Sequence, residues 1–386
     1  MLRRPGAGAR QAIPDSGETM ATRWRKTEWP NTMQRMRTAP LLFFVLAGCI
    51  TDASEDTGPR QSFGDGSEAD ADTDTDSDTD IDTDTDTDTD TDTDTDTDVP
   101  VFDCAEVPDE PTEINELDEP RGYHDVLFDL EGNLLGTDPN GHLIAASDDE
   151  TSEVMVPNVG WLQGMDLLPD GSIVAGGGKG ILRIDEDDGV SLLANIETYG
   201  VLVGPDGMVY AGSFNQIFRI DPKTGDFEDY AELPAKSNAH MFEFSPDFTR
   251  MYVGVVSTDA YIWAIDLDEN LDPKGDPWVF AEEVGSGYHD GLGVDVCGNI
   301  YVNDYWTRSF YRVSPLGEVN ILVDWNGPEN HYGHGQAFGS EVGGVWRPDA
   351  IYVPQPYDGD TVEEVVVGIP SRSYNGGHYK VINAER

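Results

Sequence analysis

The sequence predicts an all-β protein, a six-bladed β-propeller preceded by a disordered Thr-Asp-rich stalk. Two observations predict the propeller. Short β-rich runs split by Asp-Gly or Gly-Asn turns recur along residues 104–386, and those turns are spaced by about the length of one four-stranded blade. A third observation predicts the stalk: from Asp70 to Asp98 every even-numbered residue is aspartate.

One repeat unit runs from Val201 to Gly204, then Pro205-Asp206-Gly207, Met208 to Ala211, Ile217 to Asp221, and a Lys223-Thr224-Gly225 turn. The unit before it has the same parts, with Met165 to Leu168, Pro169-Asp170-Gly171, Ile173 to Ala175 and Ile181 to Asp185. Further copies begin near Val126, Met241 and Leu292, and a looser sixth leads through Trp346-Arg347-Pro348-Asp349 into Ile351-Tyr352-Val353. The turn residues Gly132, Gly171, Gly207, Phe248 and Gly298 stand 39, 36, 41 and 50 residues apart. A β-sandwich would not require one turn chemistry at one place in every unit, whereas a propeller does.

Upstream of the repeats the chain reads as an address. Arg35 and Arg37 precede the apolar run Leu41 to Leu46, well short of the ~20 residues that a membrane-spanning helix needs, so an export signal is expected. Leu46-Ala47-Gly48-Cys49 resembles the bacterial lipobox, which implies cleavage before Cys49, acylation of that cysteine and an outer-membrane or cell-surface location. Residues 1–48 are then a mis-started extension, with Met33 or Met36 as the better initiator, plus the signal. Residues 49–103 are an acidic linker, and residues 104–386 are the propeller. The Thr-Asp tract lacks apolar surface to offset its ordering entropy and repels itself, so it is expected to stay extended. It lacks the glycine that bends a calcium loop around its ion.

The chain carries 75 acidic against 23 basic residues, a net charge of −52. This excludes a nucleic-acid binder, because phosphate recognition needs clustered cations. Membrane contact is expected through the N-terminal lipid alone. With Cys49 acylated, Cys104 and Cys297 form an even pair in an oxidising compartment and are expected to be bridged.

Eight positions before each turn residue, near the start of each innermost strand, stand His124, Gln163, Tyr199, His240 and Asp290, with His334 as the counterpart in the sixth unit. Three of the seven histidines and one aspartate therefore share a level around the channel. Imidazoles and a carboxylate converging there suggest a divalent-metal site of His124, His240, Asp290 and His334, with zinc, manganese or calcium as the candidate ions. Such an ion would activate water for lactone or ester hydrolysis, with Asp290 catalytic. Gln163, Tyr199 and His289 are candidate substrate contacts, His331 a neighbour that would orient a ligand, and His142 and His378 ordinary loop histidines. A water-filled channel lined by hydrogen-bonded polar side chains is the plainer alternative.

The run His289-Asp290-Gly291-Leu292-Gly293-Val294-Asp295, followed by Gly298-Asn299-Ile300-Tyr301-Val302, resembles the signature of the senescence marker protein and gluconolactonase family. The resemblance is clearest in blade five and covers about two thirds of the chain. It implies a six-bladed propeller, a metal-dependent lactonase activity, and a metal-binding role for Asp290. Two further positions depart from the pattern: the family's asparagine and glutamate ligands map to His240 and His124. That substitution of imidazole for oxygen changes the expected metal preference. No Gly-x-Ser-x-Gly elbow, His-Glu-x-x-His helix or phosphate loop is present. The readings to be separated are a ligand-binding propeller that hydrolyses lactones or esters, and a non-catalytic surface module that binds a protein or glycan.

Overall fold

Each aligned turn places its marker residue in the left-handed backbone region, with φ of 87° at Gly132, 88° at Gly171, 74° at Gly207, 83° at Gly298 and 56° at Phe248. Glycine reaches that region without steric cost. Phe248 lacks this freedom and is held by the Phe244 ring at 6.3 Å and the Arg372 guanidinium at 5.2 Å. Two turns share the sequence Asp-x-x-Gly-Asn for a visible reason. Oδ1 of Asp129 accepts from the amides of Glu131 and Asn133, Oδ1 of Asp295 from those of Cys297 and Asn299, and each Oδ2 accepts from the asparagine side chain.

In a computed structural model, residues 101–117, 124–147, 151–177, 179–185, 189–326, 332–340, 342, 346–356, 361–372 and 380–382 are described. Cys49, the Thr-Asp tract, His331 and His378 lie outside them. The described strands form six four-stranded antiparallel sheets, the blades, and one two-stranded parallel pair. Blades 1 to 5 each use four consecutive strands, and their innermost strands are Val126–Phe128, Leu162–Leu167, Val201–Val203, Asn238–Phe244 and His289–Val294.

Blade 6 departs from that pattern. Its inner three strands are Ala337–Phe338, Ala350–Gln355 and Thr361–Val366, but its outermost strand is Glu113–Leu117, from the other end of the propeller. Glu113 pairs with Val366 and Leu117 with Val362, so one antiparallel ladder closes the ring. The added strand covers the edge of Thr361–Val366 and gives blade 6 the four strands of the others.

The apolar core is a ring of six clusters, one between each pair of neighbouring blades. Tyr210, Phe244 and Ile265 seal blades 3 and 4, while Tyr352, Leu134 and Trp346 seal blades 6 and 1. Each such side chain contributes about 1.5–3 kcal/mol by leaving water. The ladder between the third and fourth strands slips by one residue in five blades, next to Met155, Leu193, Tyr230, Phe280 and Leu322. Each is apolar and packs on an inter-blade cluster, so the extra residue of the bulge is used to fill the wedge between blades.

One end of the channel is capped by chain segments from both sides of the ring. Cys104 and Cys297 are joined by a disulfide across 193 residues, with Cα atoms 5.6 Å apart, and sit with Val296, Ile369, Phe102 and Val107. Arg372 enters the channel from this end, with its amide on Val294 O and its guanidinium on Glu243 and beside the Phe244 ring. The other end, where the inner strands begin, is the mouth.

Closing so long a loop restricts the unfolded chain strongly, so reduction or Cys297→Ser is expected to cost about 2–5 kcal/mol. Thermal unfolding with and without reductant measures this, and an unchanged Tm would contradict the bridge.

Candidate functional site

In blades 4 and 5 the first ladder skips one residue on the innermost strand. Register passes from Ala239 to Met241 and from His289 to Gly291, leaving His240 and Asp290 as the bulged residues. A bulge re-aims the side chain it carries. Blade 2 has the same bulge but places Gly164 there, beside a half-buried Gln163.

The four side chains expected at one level do meet. Nδ1 of His334 lies 2.6 Å from Oδ2 of Asp290, and Nδ1 of His240 lies 3.7 Å from Oδ1. The rings of His124 and His334 are 4.2 Å apart. Asp290, His240 and His334 are buried, at 4%, 6% and 4% exposure, whereas His124 is half-buried. Glycine makes this approach possible at Gly335, where a Cβ would collide with the Asp125 carboxylate.

Burial alone would raise the Asp290 pKa. The neighbouring His334, then His240 and His124, outweigh it and hold the carboxyl well below its ordinary value. Burial, then the like charge of His334, pushes His124 down from 6.5 to about 3, so this imidazole is neutral at physiological pH. Below Asp290 two further carboxyls go the other way. Burial raises Asp125 from 3.8 to about 8 and Asp166 to about 7, although each accepts two backbone amide hydrogens. One of those amides belongs to the next blade in each case, Met165 for Asp125 and Val203 for Asp166. These two acids stitch inner strands together around the channel.

His289 is not a substrate contact. The residue before Asp290 is turned into the seam with blade 4, against Gly254 and Val255, instead of into the channel. His289 is fully buried, its Nδ1 accepts from the Val255 amide, and its Nε2 donates to Val284 O. Tyr199 is at the mouth, 41% exposed, with its ring 5.4 Å from that of His240. His142 is a loop residue whose Nδ1 accepts from the Asn158 amide.

The expected four-donor metal site is not formed. Nδ1 of His240 donates to the His289 carbonyl at 2.6 Å, which fixes the ring and leaves Nε2 as its donor nitrogen. Among the described residues no group of three or more His, Cys, Asp or Glu is arranged to hold an ion. Asp290 and His334 approach to 2.6 Å as a buried carboxylate–imidazole pair.

Aromatic residues rim the mouth, and these were not singled out in the sequence. Trp161 stacks edge-on with His124 at 4.9 Å, Tyr305 lies 5.0 Å from His334, and Tyr288 lies 6.3 Å from His240. Trp161 and Tyr288 both stand ten positions before their blade's turn residue, a recurrence visible in the sequence two places upstream of the level already aligned.

No protein-family model matches the chain, and no curated protein matches its sequence. Solved structures do. A gluconolactonase from Xanthomonas campestris superposes with a TM-score of 0.54 at 16% identity, covering 68% of this chain and 91% of that one. Regucalcin from Agrobacterium tumefaciens, a calcium-binding protein, gives 0.52 at 17% over 71% and 97%. An auxiliary nutrient-binding protein from Bacteroides thetaiotaomicron gives 0.53 at 12% over 66% and 72%. At these identities the likeness concerns the fold.

The titrations fix a pH dependence. Asp125 and Asp166 have raised folded-state values, so their contribution is present below pH 4 and is lost as pH rises through 7 and 8. Asp290 has the opposite sign and loses its contribution only in acid below its ordinary value. His124, held below its ordinary value, adds stability as pH rises to 6.5, so the two acids act unopposed only above that, and urea unfolding is expected to show stability falling by roughly 1–3 kcal/mol from about pH 6.5 to pH 8. A flat or rising profile over that window would contradict the buried placement of these acids.

Proposed function

We propose that this chain is an exported, lipid-anchored propeller that binds a small lactone or ester at the channel mouth and hydrolyses it with Asp290, His334 and His124. The observation that carries the proposal is the convergence of three imidazoles on one buried, ionised carboxylate. A buried charge is costly unless it is paired, and such pairs seldom repay their desolvation as structural elements. Perturbed groups gathered at the open end of a channel are instead typical of functional sites.

The chemistry follows from the order of the groups. Water adds to the substrate carbonyl and gives its proton to His334, with the neutral His124 ring at 4.2 Å orienting it. Asp290, at 2.6 Å from His334, stabilises the imidazolium. As the tetrahedral intermediate collapses, that proton passes to the departing alkoxide, leaving a carboxylic acid and an alcohol, or one hydroxy acid from a lactone. Nothing in this scheme passes through a metal ion. The structural likeness to a gluconolactonase supports the reaction class.

The competing reading is a non-catalytic module that captures a ligand at the cell surface, and the likeness to a nutrient-binding propeller favours it. Turnover of a panel of γ- and δ-lactones and aryl esters by the full chain separates the two. With hydrolysis, Asp290→Asn is expected to lower kcat/KM by about 10²–10⁴ with the fold intact. No turnover of any panel member, or an unaffected variant, leaves the binding module. A rate abolished by chelator and restored by zinc, manganese or calcium would overturn the metal-free assignment.

The anchor rests on the Leu46-Ala47-Gly48-Cys49 sequence. Radiolabelled palmitate fed to a bacterial host expressing the chain is expected to enter the wild type and not Cys49→Ala. Equal labelling of both would remove the lipid anchor from the account.

A further inference from the structure

The channel cluster occupies only part of the mouth. Between blades 4 and 5 a cavity of about 400 Å³ opens beside it, with Lys236, Ser257, Thr258, Ser286, Tyr288 and Trp306 in its wall. That volume lies toward the lower end of the ~300–1,000 Å³ usual for small-molecule sites. Tyr288 joins it to the cluster, being two residues before Asp290 and in ring contact with His240.

The wall is rigidly built. Asp304 is wholly buried and accepts from the amides of Ser286, Tyr288 and Thr307 and from the hydroxyls of Ser286 and Thr307. One carboxylate thus ties the segment carrying Ser286 and Tyr288 to the turn carrying Trp306. The indole meets Tyr288 at 5.8 Å and Tyr305 at 5.0 Å, both in edge-to-face geometry, yet stays 63% exposed. It is an aromatic surface fixed in place and left uncovered.

Lys236 is the unusual member. In a chain of net charge −52, its ammonium has no carboxylate within 4 Å among the described residues. Its backbone is held at φ 79°, a region lysine seldom adopts, by a turn closed from the Ser237 amide to Pro234 O. A strained backbone that delivers an unneutralised cation to a cavity in so acidic a protein points to an anionic ligand group there.

We propose that this cavity is a subsite for a carboxylate-bearing sugar of the uronic-acid type. The C–H face of the ring lies on Trp306, its hydroxyls bond to Ser257, Thr258 and Ser286, and its carboxylate pairs with Lys236. Three hydroxyl side chains distinguish this wall from one suited to a flat aryl acid, which offers no ring hydroxyls to meet them. The inference names the substrate class of the site proposed above and rests on that reading for any hydrolysis, but not for binding itself.

Calorimetric titration of the full chain with galacturonate, galactose and benzoate tests it. Galacturonate is expected to bind about tenfold or more tighter than galactose, a difference that Lys236→Gln abolishes and Lys236→Arg keeps. Trp306→Ala is expected to weaken both sugars, with circular dichroism and Tm showing each variant folded. Equal binding of acid and neutral sugar, indifference to Lys236→Gln, no galacturonate binding at tens-of-millimolar concentration, or preference for benzoate would each overturn the subsite. The wild-type chain keeps the two proposals apart. Galacturonate binding by a wild-type chain that turns over no panel member defeats the hydrolase alone, and lactone turnover without galacturonate binding defeats the subsite alone.

Discussion

Closure of the ring is the constraint on which everything else in this molecule depends. Five consecutive blades cannot by themselves bring residues 124 and 334 together. The ladder between Glu113–Leu117 and Thr361–Val366 completes blade 6 and sets the inner strands of blades 6 and 1 side by side. Only then does His124 meet His334 at 4.2 Å and His334 reach Asp290. The disulfide and the Arg372 segment act at the opposite end, where they tie chain segments from the two ends of the propeller to blades 4 and 5.

Within the closed ring, backbone irregularity does the aiming. A regular strand would send alternate side chains to alternate faces, and a one-residue register change would exchange them. The bulges at His240 and Asp290 break that alternation where the inner strands begin, which brings two consecutive blades to bear on one point. His289 shows the cost of misjudging it by one residue, since it serves the blade interface instead. The result is a polar, ionised centre inside a ring of apolar seams, opposite in character to Asp125 and Asp166, whose carboxyls burial pushes up.

Much of this was legible in the sequence because it is local and repeated. The turn residues carry their own backbone demand, so Gly132, Gly171, Gly207 and Gly298 announce the blades, and even Phe248 keeps the left-handed turn that the alignment assigned it. Counting back from those turns found the level of the channel cluster, and two cysteines in one compartment found the bridge. What the sequence hid is non-local. Glu113–Leu117 has nothing in its own composition to mark it as the partner of a strand some 250 residues away. The metal reading came from residue types alone, and whether donors share a point depends on side-chain geometry that residue spacing does not carry. Lys236 and Trp306 lie on loops between strands, where no periodicity singles them out, and Asp304 closes the blade-5 strand Ile300–Asp304 just before the Trp306 turn.

The most direct test of the account is the charge state of His124, because its depression requires both burial and a crowded cluster of imidazoles. Nitrogen-15 spectra of the histidine rings, recorded as a function of pH on the full chain, read it residue by residue. The account predicts that His124 remains neutral down to about pH 4, consistent with a value near 3. A titration of His124 centred near its ordinary 6.5 would place it in open solvent, apart from His334 and Asp290, and would contradict the shared centre.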